Sequence, residues 1–269
     1  MSGVAVPPSP AGVPGAVIDP SSLVGEELSY RGAGGTPVEG FLVRPAAAGT
    51  LPGVVVIQDA AGLSPHIRDV AARVAALGYV ALAPNLYTRE GGPPPGGDLP
   101  AIMARLFAMS DATVLGDLEG AAAQLRSRED ASGRVGCIGF CMGGRCSLLF
   151  ACSSDQVDAA VDCWGGFIDR ATPEQLTTEQ RPTPPLELAE ALRCPLLAAV
   201  GAEDQNPSPE IGAQLRTLAA ASGQPVSVNV YGGAGHAFFA DYRPSYRPVQ
   251  AAELWREIVP FFARHLGGS

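Results

Sequence analysis

Short apolar runs and longer amphipathic segments alternate along this chain, and their spacing predicts its elements. Residues 27–30 and 38–43 flank a Gly-rich turn, a pattern typical of a β-hairpin. Further apolar runs are typical of strands buried on both faces, over residues 53–57, 79–83, 134–138, 159–163, 195–200 and 226–231. Helical patterns lie between and after them, over residues 64–77, 99–109, 111–128, 145–150, 209–221 and 248–265. This alternation predicts an α/β fold with a mostly parallel central sheet and helices on both faces.

Three segments fall outside this alternation. Residues 1–20 are rich in Pro, Gly, Ala and Val, and we expect a flexible N-terminal tail ahead of a single domain over residues 21–269. Residues 89–100 combine prolines with many glycines, which predicts a loop. The Pro-, Thr- and Glu-rich stretch 169–185 is predicted to be an insertion over the strand ends, either a cap or a surface loop.

The charge composition restricts the classes of function. With 27 acidic and 18 basic residues the chain has a formal net charge of −9, so we expect no nucleic-acid partner. Every basic residue is arginine, and the absence of lysine excludes Schiff-base and PLP chemistry and a G-K-[ST] phosphate loop. The sequence shows no signal-peptide pattern and no apolar run of about 18 residues, which predicts a soluble cytoplasmic protein without a membrane partner.

A cysteine stands at the end of one apolar run, in Gly139-Phe140-Cys141-Met142-Gly143-Gly144. The pattern G-x-C-x-G between a strand and a helix is the context of a nucleophile elbow, with cysteine in the usual place of serine. A dinucleotide fingerprint is the competing interpretation, but Cys141 occupies its second glycine position, although Asp162 has the spacing of a ribose-binding acid. The other five cysteines are predicted to be buried, reduced thiols, and their spacing indicates no metal site.

A cysteine nucleophile needs a base, and His236 is the best placed of the three histidines. It follows an apolar strand in a Gly-rich loop, where open α/β sheets carry their sites. His66 and His265 are expected on the surface. The acid of such a triad lies between nucleophile and histidine in the chain, which fits Asp204 after the strand 195–200. Glu203 and, less well, Asp162 remain alternatives.

The roles of these side chains follow from their chemistry. A histidine partner and a helix N-terminus both favour the thiolate of Cys141, which would attack an acyl carbon. His236 would move the proton, and Asp204 would hold its tautomer. The backbone N–H of Met142 and that of Ala60, after the strand 53–57, are the candidate oxyanion donors.

These residues resemble the dienelactone hydrolase family, a branch of the α/β hydrolases with a Cys-Asp-His triad. The resemblance spans roughly residues 27–266 and rests on Gly139-Phe140-Cys141-Met142-Gly143-Gly144, Pro84-Asn85-Leu86-Tyr87-Thr88-Arg89, Gly116-Asp117-Leu118-Glu119 and Gly235-His236-Ala237-Phe238. It implies the α/β-hydrolase fold, a small ester or lactone substrate, and neither metal nor cofactor. We expect a monomer or a small homo-oligomer.

The resemblance also implies further site residues. An acidic residue that pairs with the resting thiol falls on Asp59, where the best-known members have glutamate. Two arginines that hold a substrate carboxylate fall on Leu99 and Ala240, so neither is present. Substitutes from nearby are Arg105, Arg243 or Arg247, and Arg89 lies in the same region. Trp164 matches a position where the family places a pocket aromatic, although a core role fits it nearly as well.

Two other functions remain open from the sequence. The same triad is compatible with another acyl compound or with a haloacid. An exposed Cys141 is also compatible with a thiol sensor that catalyses nothing. The expected function is nevertheless the hydrolysis of an ester or lactone through an acylated Cys141.

Overall fold

The chain is described by a computed structural model that covers residues 3–47, 49–93, 98–169 and 178–267. Nine strands in these residues form one sheet, in the order β1-β2-β3-β5-β4-β6-β7-β8-β9. The strands are β1 Gly3–Val4, β2 Leu23–Arg31, β3 Pro37–Pro45, β4 Leu51–Ile57, β5 Val80–Pro84, β6 Ala131–Phe140, β7 Ala159–Cys163, β8 Leu196–Gly201 and β9 Val226–Tyr231. Strands β4 to β9 are parallel, and β1, β2 and β3 are antiparallel additions. The predicted mostly parallel sheet and its leading hairpin are confirmed.

Helices cover both faces of the sheet. They are α1 Pro65–Ala76, α2 Leu99–Ala108, α3 Asp111–Arg126, α4 Met142–Ser153, α5 Pro209–Ala220 and α6 Pro248–Leu266. Helices α1 and α6 pack in one apolar cluster, and residues of α2 to α5 pack in the other. Serine N-caps mark several helix starts, because the Ser64, Ser110 and Ser208 hydroxyls accept a backbone N–H from the first turn.

Strand β4 contributes side chains to both apolar clusters. Val54 and Val56 belong to the cluster under α1 and α6, whereas Val55 and Ile57 belong to the opposite one. All four side chains are fully buried. Since successive side chains of a strand point to opposite faces, only a continuous apolar run can supply both cores.

The N-terminal segment differs from the flexible tail that was predicted. Strand β1 pairs with β2, and the side chains of Val6, Val13 and Val17 are buried. The Ser9 hydroxyl donates to Asp69 on α1 at 2.5 Å. Single valines among prolines and glycines have no helical or strand period, so pattern analysis overlooked this packing.

The predicted insertion 169–185 falls largely on residues 170–177, which lie outside the described residues. The chain after it forms a 3-10 helix, Pro185–Ala191, that packs against α4 and α5. This element has no sequence signal, because its seven residues are too few to show a helical period.

No helix in the described ranges combines the length and apolar character that crossing a membrane would require.

Packing of the N-terminal segment predicts a stability difference between two neighbouring positions. Val17 is 4% exposed and Ile18 is 92% exposed. Val17→Ala removes two buried methyl groups, so we expect it to lower the free energy of unfolding by about 2 kcal/mol. Ile18→Ala, the matched control, should leave it within about 0.5 kcal/mol. Urea unfolding of both variants measures this, and equal stabilities would mean that residues 3–17 contribute nothing to the core.

Candidate active site

Cys141 occupies a strained turn between β6 and α4. Its backbone has φ 56° and ψ −113°, a left-handed φ that a non-glycine residue seldom adopts. The Cys141 N–H donates to the Cys163 carbonyl at 3.0 Å, and its own carbonyl accepts from Arg145 in α4. The side chain is half-buried, whereas the other five cysteines are buried and reduced. The predicted elbow is thus present in the backbone.

Three glycines around Cys141 are required by close backbone contacts. A Cβ on Gly139 would collide with the carbonyl of Gly143. A Cβ on Gly143 would meet the Ile57 carbonyl, and one on Gly144 would meet the Asp162 carboxylate. The glycine pattern around the cysteine therefore has a steric cause, and no dinucleotide is needed to explain it.

His236 and Asp204 form a hydrogen-bonded pair on the loops after β9 and β8. The distance from His236 Nδ1 to Asp204 Oδ2 is 2.8 Å. Asp204 is buried, and its other oxygen accepts the Asn206 N–H at 2.9 Å. Because both carboxylate oxygens are bonded, Asp204 holds the imidazole with its Nε2 free for another partner.

Cys141 lines the same cavity as this pair. Burial lowers the pKa of His236, but the hydrogen bond with Asp204 and the proximity of Asp204 and Cys141 outweigh it and raise the pKa to about 10. The imidazolium form of His236 is therefore favoured in the folded protein. The structure thus brings together the three residues that the sequence selected as nucleophile, acid and base.

The two alternative acids lie elsewhere. Glu203 is exposed and only its backbone N–H is fixed, to the Ala234 carbonyl at 2.8 Å. Asp162 is buried under the elbow, where it accepts the Gly165 N–H at 2.7 Å. Burial raises the pKa of Asp162 to about 7. Its position supports the turn after β7 and offers no open edge to a ribose.

A cavity of about 370 Å³ opens over the thiol. Its walls are mostly apolar, with polar groups concentrated near the triad. The lining residues are Asp59, Ala60, Ala61, His66, Ile102, Met103, Leu106, Phe140, Cys141, Trp164, Gly166, Phe167, Asp204, Gln205, Asn206, His236, Ala237, Ala240 and Arg243. A cavity of this size suits a small organic molecule.

The two predicted oxyanion donors lie at the start of α4 and in the cavity wall. Met142 is the first residue of α4, so its N–H belongs to the unpaired N-terminal turn of that helix. Ala60 follows β4 and lines the cavity. Both positions fit the role, which stays a prediction for their backbone N–H groups.

Asp59 has other partners than the thiol that the resemblance implied. One oxygen accepts the Ala61 N–H at 2.8 Å, and the other accepts the Tyr242 hydroxyl at 3.1 Å. The Arg243 guanidinium lies 3.9 Å from the latter oxygen. Within the described ranges no hydrogen bond joins Asp59 to Cys141. Its shorter side chain is bound at the cavity wall by Tyr242, a residue that sequence analysis did not select.

Arg89 and Arg105, predicted as substrate ligands, do not line the cavity. Arg89 forms a bidentate ion pair with Asp117, with Nη1 2.5 Å and Nη2 2.8 Å from the carboxylate oxygens. Arg105 donates to the Gly92 carbonyl and lies over the Tyr87 ring. The partners of both arginines are distant in sequence, so no local pattern could predict these contacts.

Arg243 is the arginine that lines the cavity among the described residues. Its Nε donates to the Tyr242 hydroxyl at 3.0 Å. Arg247 instead donates to backbone carbonyls of its own loop. Ala240, where the resemblance implied an arginine, lines the same wall. Arg243, three residues later in the chain, supplies a guanidinium to that wall.

Trp164 satisfies both interpretations that the sequence allowed. It lines the cavity, yet it is only 2% exposed and packs against Phe238 with ring centroids 4.7 Å apart. Its φ of 44° is also left-handed. The side chain is thus a core aromatic whose edge forms part of the cavity wall.

His66 is not the surface residue that was expected. It is buried in the cavity wall, and its Nδ1 lies 2.8 Å from Asp241 Oδ1. Its position in the helix start after β4 was the available signal, since that turn lies at the carboxyl edge of the sheet. His265, at the end of α6, is half-buried against the Phe261 ring, with centroids 4.9 Å apart.

Within the same described ranges, no group of three or more His, Cys, Asp or Glu side chains is arranged to hold a metal ion.

The parallel sheet, the elbow after β6, and the acid and histidine after β8 and β9 define the α/β-hydrolase class. Residues 38–266 match the model of the dienelactone hydrolase family. The chain belongs to the dienelactone hydrolase family and is a hydrolase of esters or lactones.

Two relatives show the extent of the similarity. A Salmonella typhimurium protein named "Putative carboxymethylenebutenolidase" is 33% identical over 268 residues, which cover 99% of this chain and 97% of the relative. A solved structure described as a "Putative Dienelactone Hydrolase", from Klebsiella pneumoniae, is 32% identical with a TM-score of 0.83. That similarity covers 90% of this chain and 99% of the solved one.

The raised pKa of His236 predicts how the stability depends on pH. The folded pKa of about 10 lies above the ordinary 6.5, so the folded state binds the proton more tightly. The resulting stabilisation is complete below pH 6.5 and is lost as the pH rises through about 10. We therefore expect the stability difference between wild type and His236→Gln to shrink between these limits. Urea unfolding at pH 6 and pH 10 measures it, and a constant difference would contradict the charged pair.

Proposed function

We propose that the protein hydrolyses a small ester or lactone through a thioester on Cys141. The thiolate attacks the carbonyl carbon, and the resulting oxyanion collapses as the C–O bond to the leaving alkoxide breaks. His236 gives its proton to that oxygen, so an alcohol leaves. The neutral His236 then takes a proton from water, whose oxygen attacks the thioester and releases the acid and the thiolate.

One observation carries this proposal. Cys141 stands in a left-handed turn at the start of α4 and lines the same cavity as His236, whose Nδ1 is 2.8 Å from the buried Asp204 carboxylate. A buried structural thiol requires none of these features. A nucleophile, a base and an orienting acid gathered at one cavity are the arrangement that covalent acyl transfer needs.

The helix start supports the charged states of this cycle. Cys141 is the N-cap of α4, so the positive end of the helix dipole faces both the thiolate and the oxyanion. We propose that the backbone N–H groups of Met142 and Ala60 receive the oxyanion. Such donors act on charge that develops in the transition state, which is why they raise the rate.

Size and wall chemistry bear on the substrate class. A mostly apolar cavity of about 370 Å³ favours a compact acyl or lactone group over a long chain. The Salmonella typhimurium relative takes its name from a butenolide, an unsaturated lactone. We propose a substrate of that size class, taken from the soluble phase of the cytoplasm.

Removal of the thiol tests the covalent mechanism. We expect Cys141→Ala to lower kcat for p-nitrophenyl acetate by at least about a thousandfold, since triad members act as a unit. Cys152→Ala, the matched control on the same helix, should retain activity because Cys152 is buried away from the cavity. Mass spectrometry of acid-quenched wild type should show an acyl group on Cys141.

Two results would contradict this mechanism. Residual activity of Cys141→Ala close to that of Cys152→Ala would exclude the thiol as nucleophile. Rapid oxidation of Cys141 without turnover of any ester, lactone or haloacid would instead favour the thiol-sensor function.

The position of Arg243 predicts a preference for substrates that carry a carboxylate. Its side chain is 41% exposed at the cavity wall, and its guanidinium lies near Asp59 and donates to Tyr242. We expect Arg243→Gln to raise KM about threefold to tenfold for the mono-p-nitrophenyl ester of glutaric acid, because a carboxylate loses a charge-assisted bond. The neutral p-nitrophenyl butanoate should be unaffected. Steady-state kinetics test this, with Arg247→Gln as control, and equal effects on both esters would exclude a charge contact.

A further inference from the structure

A second histidine–carboxylate pair lies at the wall of the same cavity, and its histidine lines that cavity. His66 and Asp241 come from opposite parts of the chain, with Nδ1 and Oδ1 2.8 Å apart. His66 is 9% exposed, and its side chain belongs to the cavity wall. The proposed hydrolysis requires only His236, so this pair has no part in it.

Asp241 is held as an anion. Its pKa is lowered by the hydrogen bond with His66 and by the Arg73 charge. The Arg73 guanidinium is fully buried, 3.6 Å from Asp241, and also binds Asp69. An ionised carboxylate only accepts hydrogen bonds, so the proton on His66 is located at Nδ1.

This tautomer determines what the other nitrogen can do. In neutral His66 the Nε2 atom is a hydrogen-bond acceptor. Among the described residues, no hydrogen bond is formed by Nε2. The atom is also absent from the fully buried polar atoms, so its surface is accessible. The atom therefore has access to the cavity that His66 lines.

The surroundings of His66 fix the ring. Phe140, Phe239 and Tyr242 lie around it, with ring centroids 6.3, 6.5 and 5.2 Å away. Phe140 directly precedes Cys141 in the chain. A fixed acceptor on an otherwise aromatic wall, next to the nucleophile's own strand, is suited to orient a bound molecule.

We propose that His66 is a specificity-determining residue that accepts a hydrogen bond from a hydroxyl group on the acyl part of the substrate. The inference rests on the proposed function, because it places that acyl part over Cys141. Asp241 is a positioning residue, since it acts through His66. Arg73 keeps its carboxylate charged and in place.

Matched ester pairs test this assignment. The probes are p-nitrophenyl esters of hydroxyethanoic and 3-hydroxypropanoic acids, each compared with its methyl ether. A methyl ether cannot donate to Nε2, so wild type should prefer at least one hydroxy ester about fivefold to tenfold in kcat/KM. The variant His66→Asn can still donate to Asp241 through its amide nitrogen but has no atom at the Nε2 position. We expect its preference to fall to about one.

Further variants separate binding from folding. His66→Phe should also lose the preference, and it suits the aromatic wall if the asparagine variant fails to fold. His265→Asn, the same change at the end of α6, should keep both preference and thermal unfolding temperature. A preference that persists in a folded His66 variant, or its absence from wild type, overturns the proposal.

A binding measurement distinguishes failure of the proposed hydrolase function from failure of the role of His66. If wild type hydrolyses none of these esters, calorimetry with Cys141→Ala measures their binding without turnover. The hydroxy ester should then bind more tightly than its ether, and Cys141→Ala combined with His66→Asn should bind them equally. Equal binding by Cys141→Ala itself would contradict the role of His66.

Discussion

The left-handed backbone at Cys141 is the constraint on which the rest of the site depends. This turn holds the thiol above the sheet while the chain passes from β6 into α4. It exists because Gly139, Gly143 and Gly144 let four backbone segments approach one another without a Cβ between them. Trp164 and Ala237 also have positive φ and border the same cavity. Strained backbone is thus concentrated around the cavity, where the surrounding core must hold it.

Much of this arrangement was predictable from the sequence, for a physical reason. Strands buried on both faces must be apolar without interruption, so β4 to β8 were visible as runs. The elbow requires glycines at fixed offsets, and the order of Cys141, Asp204 and His236 follows from the strand order. Local chemistry and topology agree at these positions, which is why the three residues could be selected without coordinates.

The remaining features depend on partners distant in sequence. Arg89 binds Asp117 and does not line the cavity, although it was expected to bind the substrate. His66 stands at a helix start on the carboxyl edge of the sheet, but its pairing with Asp241, 175 residues away, has no local signal. Asp59 binds the hydroxyl of Tyr242, which is 183 residues away. Polar side chains have several possible partners, and only the three-dimensional fold selects among them.

The contacts of Ser9 link the beginning of the chain to the cavity. Its hydroxyl binds Asp69, which shares Arg73 with Asp241, which in turn holds His66. Each contact in this series is an ion pair or a hydrogen bond, so loosening one changes the electrostatic environment of the next group. Linkage between two sites is reciprocal. We therefore expect a molecule bound to His66 and the packing of residues 3–17 to stabilise each other, so that the bound protein resists proteolysis of this segment better than the free one.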